Sequence, residues 1–166
     1  MNAEIVDMLT RLAVENPGVR NRFKLAAGIV YRNHLIATGV NSYKTHPLML
    51  QFGKNSEALF IHAEIDAIKN ALRLITQDQL AKCDMYVVRV KRPDNDLNNW
   101  QHAMARPCSG CQRAIISFGL KNIYYTTEDC NGPIAHDWLE QRTHNPLVLG
   151  STPSGPTIQH ESFMLA

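Results

Sequence analysis

The chain has 166 residues, of which 45% are hydrophobic and 19% are charged, and its formal net charge is +2. This balance fits one soluble globular domain with a sizeable core, and it is less basic than a nucleic-acid footprint usually is. No apolar run approaches the roughly 18 residues of a membrane helix, and the acid-containing start MNAEIVDMLTRL is unlike a secretory signal, so the cytoplasm is the expected location.

The first third of the sequence predicts a helix followed by a hairpin. Apolar residues recur at helical spacing over residues 3–15, and NPG at 16–18 ends that helix. KLAAGIVY (24–31) and HLIATGV (34–40) have the composition of two strands, and the short turn Arg32-Asn33 between them predicts a β-hairpin.

The middle of the sequence alternates long polar segments with regular elements. Residues 41–60 predict a long loop, a kind of segment that is often functional. A helix is expected from about 62 to 75 and a buried strand at 83–90. Residues 91–107 predict a second long loop, and another helix is expected to start near Cys108.

The last part of the sequence predicts one further strand, NIYYTT, then a helix in PIAHDWLEQR with Pro133 in its first turn, and an irregular Pro/Gly/Ser-rich tail over 143–166. Strands that alternate with helices after an opening hairpin predict a three-layer α/β/α sandwich with a mixed sheet. We therefore expect one domain over residues 1–142.

Two predicted helix starts carry residues that bind metals. His62-Ala63-Glu64 opens one helix, and Pro107-Cys108-Ser109-Gly110-Cys111 opens the other. One histidine and two cysteines, His62, Cys108 and Cys111, are good zinc ligands, and three protein ligands leave the fourth tetrahedral position open, as catalytic zinc requires. The partial positive charge at both helix starts favours thiolates over thiols.

Glu64 has the wrong position to be a fourth ligand, but it suits proton transfer. Zinc lowers the pKa of a water that it binds towards about 7, so a neighbouring carboxylate can accept a proton from that water. Glu64 is therefore predicted to act first as a general base and then as a general acid that protonates the substrate nitrogen.

H-x-E followed downstream by P-C-x-x-C is a signature of zinc nucleobase deaminases. With HAEIDAI, RPCSGCQRAIISFGLKNIYY and GIVYRNHLIATGVN, the sequence resembles the cytidine/deoxycytidylate deaminase superfamily from about Lys24 to Asp129. Within it, these motifs are most similar to deoxycytidylate (dCMP) deaminases and tRNA adenosine deaminases. The Ser109-Gly110 pair between the cysteines differs from the methionine that is usual in the tRNA enzymes.

The resemblance implies a fold, a reaction and further site residues. The fold is a mixed five-stranded sheet with one zinc ion between two helices, and the reaction is attack of zinc-bound hydroxide on C4 of cytosine or C6 of adenine. Asn41 would hold the sugar and base, the backbone N–H of Ala63 would contact the base, and Tyr125 would line the pocket. A homo-oligomer is also implied, and the connection at 91–106 is longer than in relatives.

Three functions are compatible with the sequence. The first, which is favoured, is deamination of a free cytosine nucleotide, with dCMP converted to dUMP. The second is base editing in RNA or single-stranded DNA, which needs a basic channel and stacking aromatic residues. The third is a non-catalytic zinc module that binds a partner. The acid-free stretch from Asn16 to Ser56 is compatible with a solvated face or with a surface that attracts phosphate, and Lys24 and Lys44 within it, together with Arg106, are the candidate carriers.

Overall fold

The structure is a computed structural model, and it describes residues 2–19, 23–53, 59–93, 99–128 and 134–136. These residues form five helices and six strands. The elements in chain order are α1 (Ala3–Glu15), β1 (Phe23–Tyr31), β2 (His34–Val40), α2 (Pro47–Phe52), α3 (Ala63–Ala71), α4 (Gln77–Leu80), β3 (Asp84–Lys91), β4 (Gln101–Ala103), α5 (Ser109–Ser117), β5 (Ile123–Tyr125) and β6 (Ile134–His136).

The strands form one mixed sheet in the order β2-β1-β3-β5-β6. β1 is antiparallel to both β2 and β3, β3 is parallel to β5, and β6 is antiparallel to β5. The expected five-stranded mixed sheet is thereby confirmed. β4 adds a short sixth strand, which pairs with Arg89–Lys91 of β3 beyond the part of β3 that pairs with β5.

Helices cover both faces of this sheet, which confirms the predicted three-layer sandwich. On one face α1 buries Ile5, Val6 and Leu9 against the strands. On the other face α3 and α5 pack their apolar sides, including Ile65 and Ile115, against the sheet. Alternate residues of each strand pack into the cores on the two faces of the sheet, because successive side chains of a strand point to opposite faces.

The hairpin between β1 and β2 turns at the residues that the sequence indicates. Arg32 has φ 49° and Asn33 has φ 67°. Two central residues with positive φ are typical of the type I′ turn, whose twist matches that of the flanking strands. The turn sets the β1–β2 register, in which Gly28 lies opposite Thr38.

Several predicted loops and helices needed correction. The predicted loop at 41–60 contains helix α2, which has Pro47 in its first turn. The ring of His46 caps this helix by accepting a hydrogen bond from the backbone N–H of Leu48. The loop at 91–107 contains β4. The helix expected over 62–75 ends at Ala71 and is followed by the short helix α4, which Thr76 caps.

The prediction of a helix in PIAHDWLEQR was wrong at its start. Residues 134–136 form β6, which extends the sheet by pairing with β5. The remainder of that segment and the tail at 143–166 lie outside the described residues, so the proposed domain boundary at residue 142 stays a prediction. Among the described helices, none has the length and apolar character needed to cross a membrane.

Candidate active site

Helix α3 presents its first residues to the space beside the sheet. His62 is its N-cap, with an extended backbone (φ −83°, ψ 155°) and a side chain that makes no capping hydrogen bond. The imidazole is therefore available to other partners. Glu64 and Asp66 lie in the first turn, where carboxylates interact favourably with the positive end of the helix dipole.

Helix α5 presents its cysteines in the same way. Cys108 is the N-cap, again without a capping hydrogen bond from its side chain, and Cys111 lies one turn later with its thiol buried. The side chain of Gln112 donates to the carbonyl of Pro107 at 2.9 Å and fixes the entry to the helix. Gly119 closes the helix with φ 76°, as a glycine cap does.

The two helix starts bring the three predicted ligands together. His62 Nδ1 lies 3.3 Å from Cys111 Sγ and 3.6 Å from Cys108 Sγ. The three donor atoms all lie within 4.8 Å of one another. Ligands at zinc–sulfur and zinc–nitrogen bond lengths are separated by roughly 3.5 Å across a tetrahedral angle, so the cluster has the dimensions of a zinc site. A histidine with two cysteines is also a donor set that zinc favours.

Glu64 lies beside this cluster and is almost fully buried, with 2% of its surface exposed. Its Oε2 atom has no hydrogen-bond partner among the described residues, whereas the thiol of Cys111 is within hydrogen-bonding reach of the carboxylate. Burial raises the pKa of Glu64. A buried polar atom without a partner is destabilising by about 1–3 kcal/mol, so this oxygen fits a site at which Glu64 would contact a bound group beside the cluster.

The cysteines differ in charge in the metal-free protein. A hydrogen bond from Cys111 lowers the pKa of Cys108 to about 3, and the bond between Cys108 and His62 adds to that effect. The same pairing with Cys108 raises the pKa of Cys111, and the hydrogen bond to Cys108 raises the pKa of His62. Cys108 is therefore a thiolate that is ready to bind a metal.

Asn41, which is predicted to contact the substrate, directly follows β2, and the next residue is hydrogen-bonded to the segment that leads to His62. The N–H of Ser42 donates to the carbonyl of Ile61 at 3.1 Å, which ties this segment to the residue before His62. Asn41 Oδ1 accepts hydrogen bonds from the backbone of Leu25 and from the side chain of Asn16. These bonds fix the side chain in place, and its role toward substrate stays a prediction.

Ala63 and Tyr125 belong to the core on the metal-site face of the sheet. Ala63 is fully buried in the first position of α3, and Tyr125 is 8% exposed in the cluster that also contains Cys111. Tyr124 points to the other face, where its ring lies 4.8 Å from that of Tyr86. Tyr125 lies on the same face as the metal cluster, as a residue that lines the pocket would. Its pocket role and the contact of Ala63 with the base both stay predictions.

Sequence reasoning overlooked three features near this site. Gly39 and Asp66 join β2 to α3, and Tyr43 and Phe60 form an exposed aromatic pair. A glycine inside a strand can signal close approach of another backbone, which is the signal that Gly39 offers.

The ammonium group of Lys24, which was expected to attract phosphate, donates a hydrogen bond to the carbonyl of Val14 at 2.7 Å.

The sequence model of the cytidine and deoxycytidylate deaminase zinc-binding region matches residues 3–127. The chain therefore belongs to this zinc-binding deaminase family, and His62, Cys108 and Cys111 are the group positioned to hold its metal ion. A search of curated proteins finds no match to the sequence.

Solved structures of deaminases are similar to this chain at low sequence identity. Cytidine deaminase from Burkholderia pseudomallei is 15% identical over 82% of this chain and 92% of that protein, with a TM-score of 0.55. The apo dCMP deaminase from cyanophage S-TIM5 is 20% identical over 78% of this chain and 88% of that protein, with a TM-score of 0.47. A structure from work on A-to-I editing by tRNA:A34 deaminases is 24% identical over 78% of this chain and 77% of that chain, with a TM-score of 0.43.

Proposed function

We propose that this protein catalyses the zinc-dependent hydrolytic deamination of a cytosine nucleotide, and that its substrate is dCMP, which it converts to dUMP. The observation that carries the proposal is the position of Glu64. Its buried carboxylate has one oxygen without a hydrogen-bond partner in the described part of the chain, and it lies beside the His62–Cys108–Cys111 cluster. A purely structural zinc site has no need for such a group.

In the proposed reaction, His62, Cys108 and Cys111 would hold a zinc ion, which would supply the Lewis acidity that makes water easier to deprotonate. Glu64 accepts a proton from the attacking water and passes it to N3 of the ring as the C4–O bond forms. Glu64 then relays the second proton to the amino group, so that the C4–N bond breaks and ammonia leaves. A carboxylate whose pKa is raised by burial is well suited to hold a proton between these steps.

The choice of a cytosine nucleotide is supported by the family, whose description names cytidine and deoxycytidylate deaminases. The choice of a phosphorylated substrate is supported by the segments that flank the cluster. The described residues 41–53 and 99–113 contain no acidic side chain, whereas exposed Lys44 and Arg106 lie within them. Cationic groups without neighbouring acids favour an anionic ligand such as a nucleotide phosphate.

A second candidate function, base editing in single-stranded nucleic acid, is favoured by one observation. Tyr43 and Phe60 are 48% and 53% exposed, and their rings meet edge to face with centroids 5.4 Å apart. An isolated β-bridge joins Thr45 to Phe60, and Phe60 lies two residues before His62 in the sequence. Exposed aromatic rings are the groups on which unpaired bases stack.

The resemblance also leads us to propose that the enzyme is a homo-oligomer that acts in the cytoplasm. Neither point depends on the site described above. Both can be measured independently of activity, by light scattering of the full chain and by localisation of a tagged copy.

The test is ammonia release by the zinc-loaded protein over a panel of substrates. The panel contains cytosine, deoxycytidine, dCMP, dCTP, CMP, a cytosine-containing single-stranded DNA and an adenosine-containing RNA stem-loop. We expect dCMP to be turned over and Glu64→Gln to reduce that rate by about 100-fold or more, the scale of general acid–base catalysis. Glu4→Gln is the matched control, because Glu4 is an exposed glutamate in the first turn of α1.

The outcomes separate the candidates. Turnover of the DNA or RNA alone, lost in a Tyr43→Ala, Phe60→Ala variant, would favour base editing over the nucleotide enzyme. Zinc binding without turnover of any substrate in the panel would contradict both and would support the non-catalytic zinc module.

A further inference from the structure

The outer edge of β2 is held by a helix instead of by another strand. β2 is the terminal strand of the sheet, so its outward N–H and C=O groups have no partner among the described strands. Asp66 Oδ2 accepts from the backbone N–H of Val40 at 3.1 Å, and Asn70 Nδ2 donates to the carbonyl of Thr38 at 2.8 Å. Asp66 and Asn70 are four residues apart and therefore share one face of α3.

Gly39, between these two contacts, permits the close approach of α3. A Cβ atom at residue 39 would lie 2.1 Å from the backbone nitrogen of Ala67 and 2.5 Å from the carbonyl oxygen of Ala63, where ordinary contacts are 3.4–4 Å. The atoms that would clash belong to the backbone of a helix, which cannot move away as a side chain can. Gly39, Asp66 and Asn70 together fix the height and the register of α3 on β2.

This contact joins the segment of Asn41 to the helix that carries His62 and Glu64. Val40 immediately precedes Asn41, the predicted substrate contact. Asp66 lies in the first turn of α3, where its N–H donates to the carbonyl of His62 at 3.0 Å. Its second carboxylate oxygen pairs with Lys69. One side chain thus connects the end of β2 to the helix start that carries His62 and Glu64.

We propose that Asp66 is a positioning residue for the metal site, which sets the place of His62 and Glu64 relative to Cys108 and Cys111. The cysteines belong to α5, and a shift of α3 along β2 would separate the two pairs of residues. The effect of Asp66 on metal binding follows from the geometry alone, whereas its effect on turnover rests on the proposed deamination. Removing a direct hydrogen-bond partner of a metal ligand typically lowers metal affinity or activity by about 10–100-fold, and Asp66, which acts on the ligand only through the helix, is expected at the low end of that range.

The test uses the full chain with Asp66→Ala, Asp66→Asn and Asp84→Ala. Asp84 is the matched control, because its carboxylate also accepts a hydrogen bond, from the side chain of Asn122. Asp84 lies at the first position of β3, where this strand pairs with the end of β1 next to the hairpin turn. The first readout is the absorption spectrum of the cobalt-loaded protein, and the second is zinc affinity measured by competition with a chelator. Neither readout needs substrate. The kcat and KM for dCMP are measured in parallel, well below the melting temperature of each variant.

We expect Asp66→Ala to shift the cobalt spectrum, to weaken zinc binding by about 10-fold and to lower kcat with little change in KM. Asp66→Asn keeps an oxygen for the N–H of Val40 and should restore most of each property, and Asp84→Ala should match the parent. A folded Asp66→Ala protein with the parental spectrum and zinc affinity would overturn the proposal.

A folding failure of Asp66→Ala does not end the test. Asn70→Ala removes only the hydrogen bond to Thr38 and should shift the cobalt spectrum in the same sense by a smaller amount. An unchanged spectrum in that folded variant also overturns the proposal. A parent that binds zinc without deaminating any substrate would remove the proposed function and leave the metal-positioning result intact.

Discussion

The two faces of the sheet are built from the same strands but differ in chemistry. In β3, Met85 and Val87 face α3 and α5, whereas Tyr86 and Val88 face α1. The α1 face is an apolar contact between one amphipathic helix and the sheet. The α3/α5 face buries Glu64 and Cys111 next to His62. The difference shows that the site arises where two helices begin at one point, and not from the sheet itself.

The α3/α5 face accepts unfavourable burial that the α1 face avoids. Glu64 is buried with one carboxylate oxygen that has no hydrogen-bond partner in the described part of the chain, and its pKa is raised because the charged form loses water. Such a group is destabilising unless a ligand or a proton compensates it. We therefore expect changes on this face to alter metal binding and the reaction as well as stability, and changes on the α1 face to alter stability alone.

The largest expected effect is that of removing one metal ligand. Cys111→Ser retains the size of the side chain but loses the soft thiolate that zinc prefers. Zinc affinity should fall by more than the roughly 100-fold that an outer partner can contribute, and activity should fall with it. Metal content by elemental analysis and turnover by ammonia release check this. Zinc retained at parental affinity would remove Cys111 from the ligand set.

A matched pair of core truncations compares the faces directly. Leu9 on α1 and Ile65 on α3 are both fully buried. Leu9→Ala and Ile65→Ala should each lower the free energy of unfolding by about 2–5 kcal/mol, measured by urea denaturation. Only Ile65→Ala should also weaken zinc binding, because Ile65 directly follows Glu64 in α3. Equal changes in zinc affinity for the two variants would contradict the division between the faces.

The cysteines should differ sharply in reactivity. Cys108 has a pKa lowered to about 3 and is a thiolate at neutral and mildly acidic pH, whereas burial raises the pKa of Cys83. The fourth cysteine, Cys130, lies outside the described residues and is replaced by serine so that it does not react. In this metal-free Cys130→Ser protein, iodoacetamide at about pH 6 should alkylate Cys108 and leave Cys83 unmodified, because an ordinary thiol with a pKa of about 8.5 is protonated there. Peptide mass spectrometry identifies the modified residue. Added zinc should protect Cys108, and modification of Cys83 first would contradict this account.

The smallest expected effect lies at the hairpin turn, which the β1–β3 register places at the Asp84 end of β3, because Val30 pairs with Asp84. Arg32 has φ 49°, a conformation that is unfavourable for a residue with a Cβ by about 1–2 kcal/mol. Arg32→Gly should therefore raise the free energy of unfolding by up to about 1 kcal/mol, less than the full strain because glycine also loses more chain entropy. Zinc affinity and kcat should equal those of the parent. A changed cobalt spectrum in this variant would show that the two ends of the sheet are coupled.

The sequence predicted the metal cluster better than it predicted the loops around it. His62, Cys108 and Cys111 could be found because residue type and helix-start position both point to zinc. Helix α2 was missed although Pro47 lies in its first turn, a common signal of a helix start. The strand at 134–136 was mistaken for a helix because its pairing with β5 is a long-range contact that local spacing does not encode.

The supporting contacts of the site were also beyond sequence reasoning. Gly39 could be recognised as an unusual residue within a strand, but its neighbour Ala67 could not be identified without the fold. The hydrogen bond from Val40 to Asp66 joins residues 26 positions apart and depends on how α3 packs on β2. Motifs therefore identified the residues of the metal cluster, and the packing identified the contacts that hold them in place.

The most direct test of the account is the fate of oxygen during turnover. Zinc-loaded protein is incubated with dCMP in water labelled with heavy oxygen, and the nucleotide product is analysed by mass spectrometry beside the Glu64→Gln variant. We predict dUMP that carries one labelled oxygen in its base, with one ammonia released per dUMP and almost no product from the variant. Unlabelled product, or the same rate of labelling with Glu64→Gln, would contradict hydrolysis through Glu64 at this site.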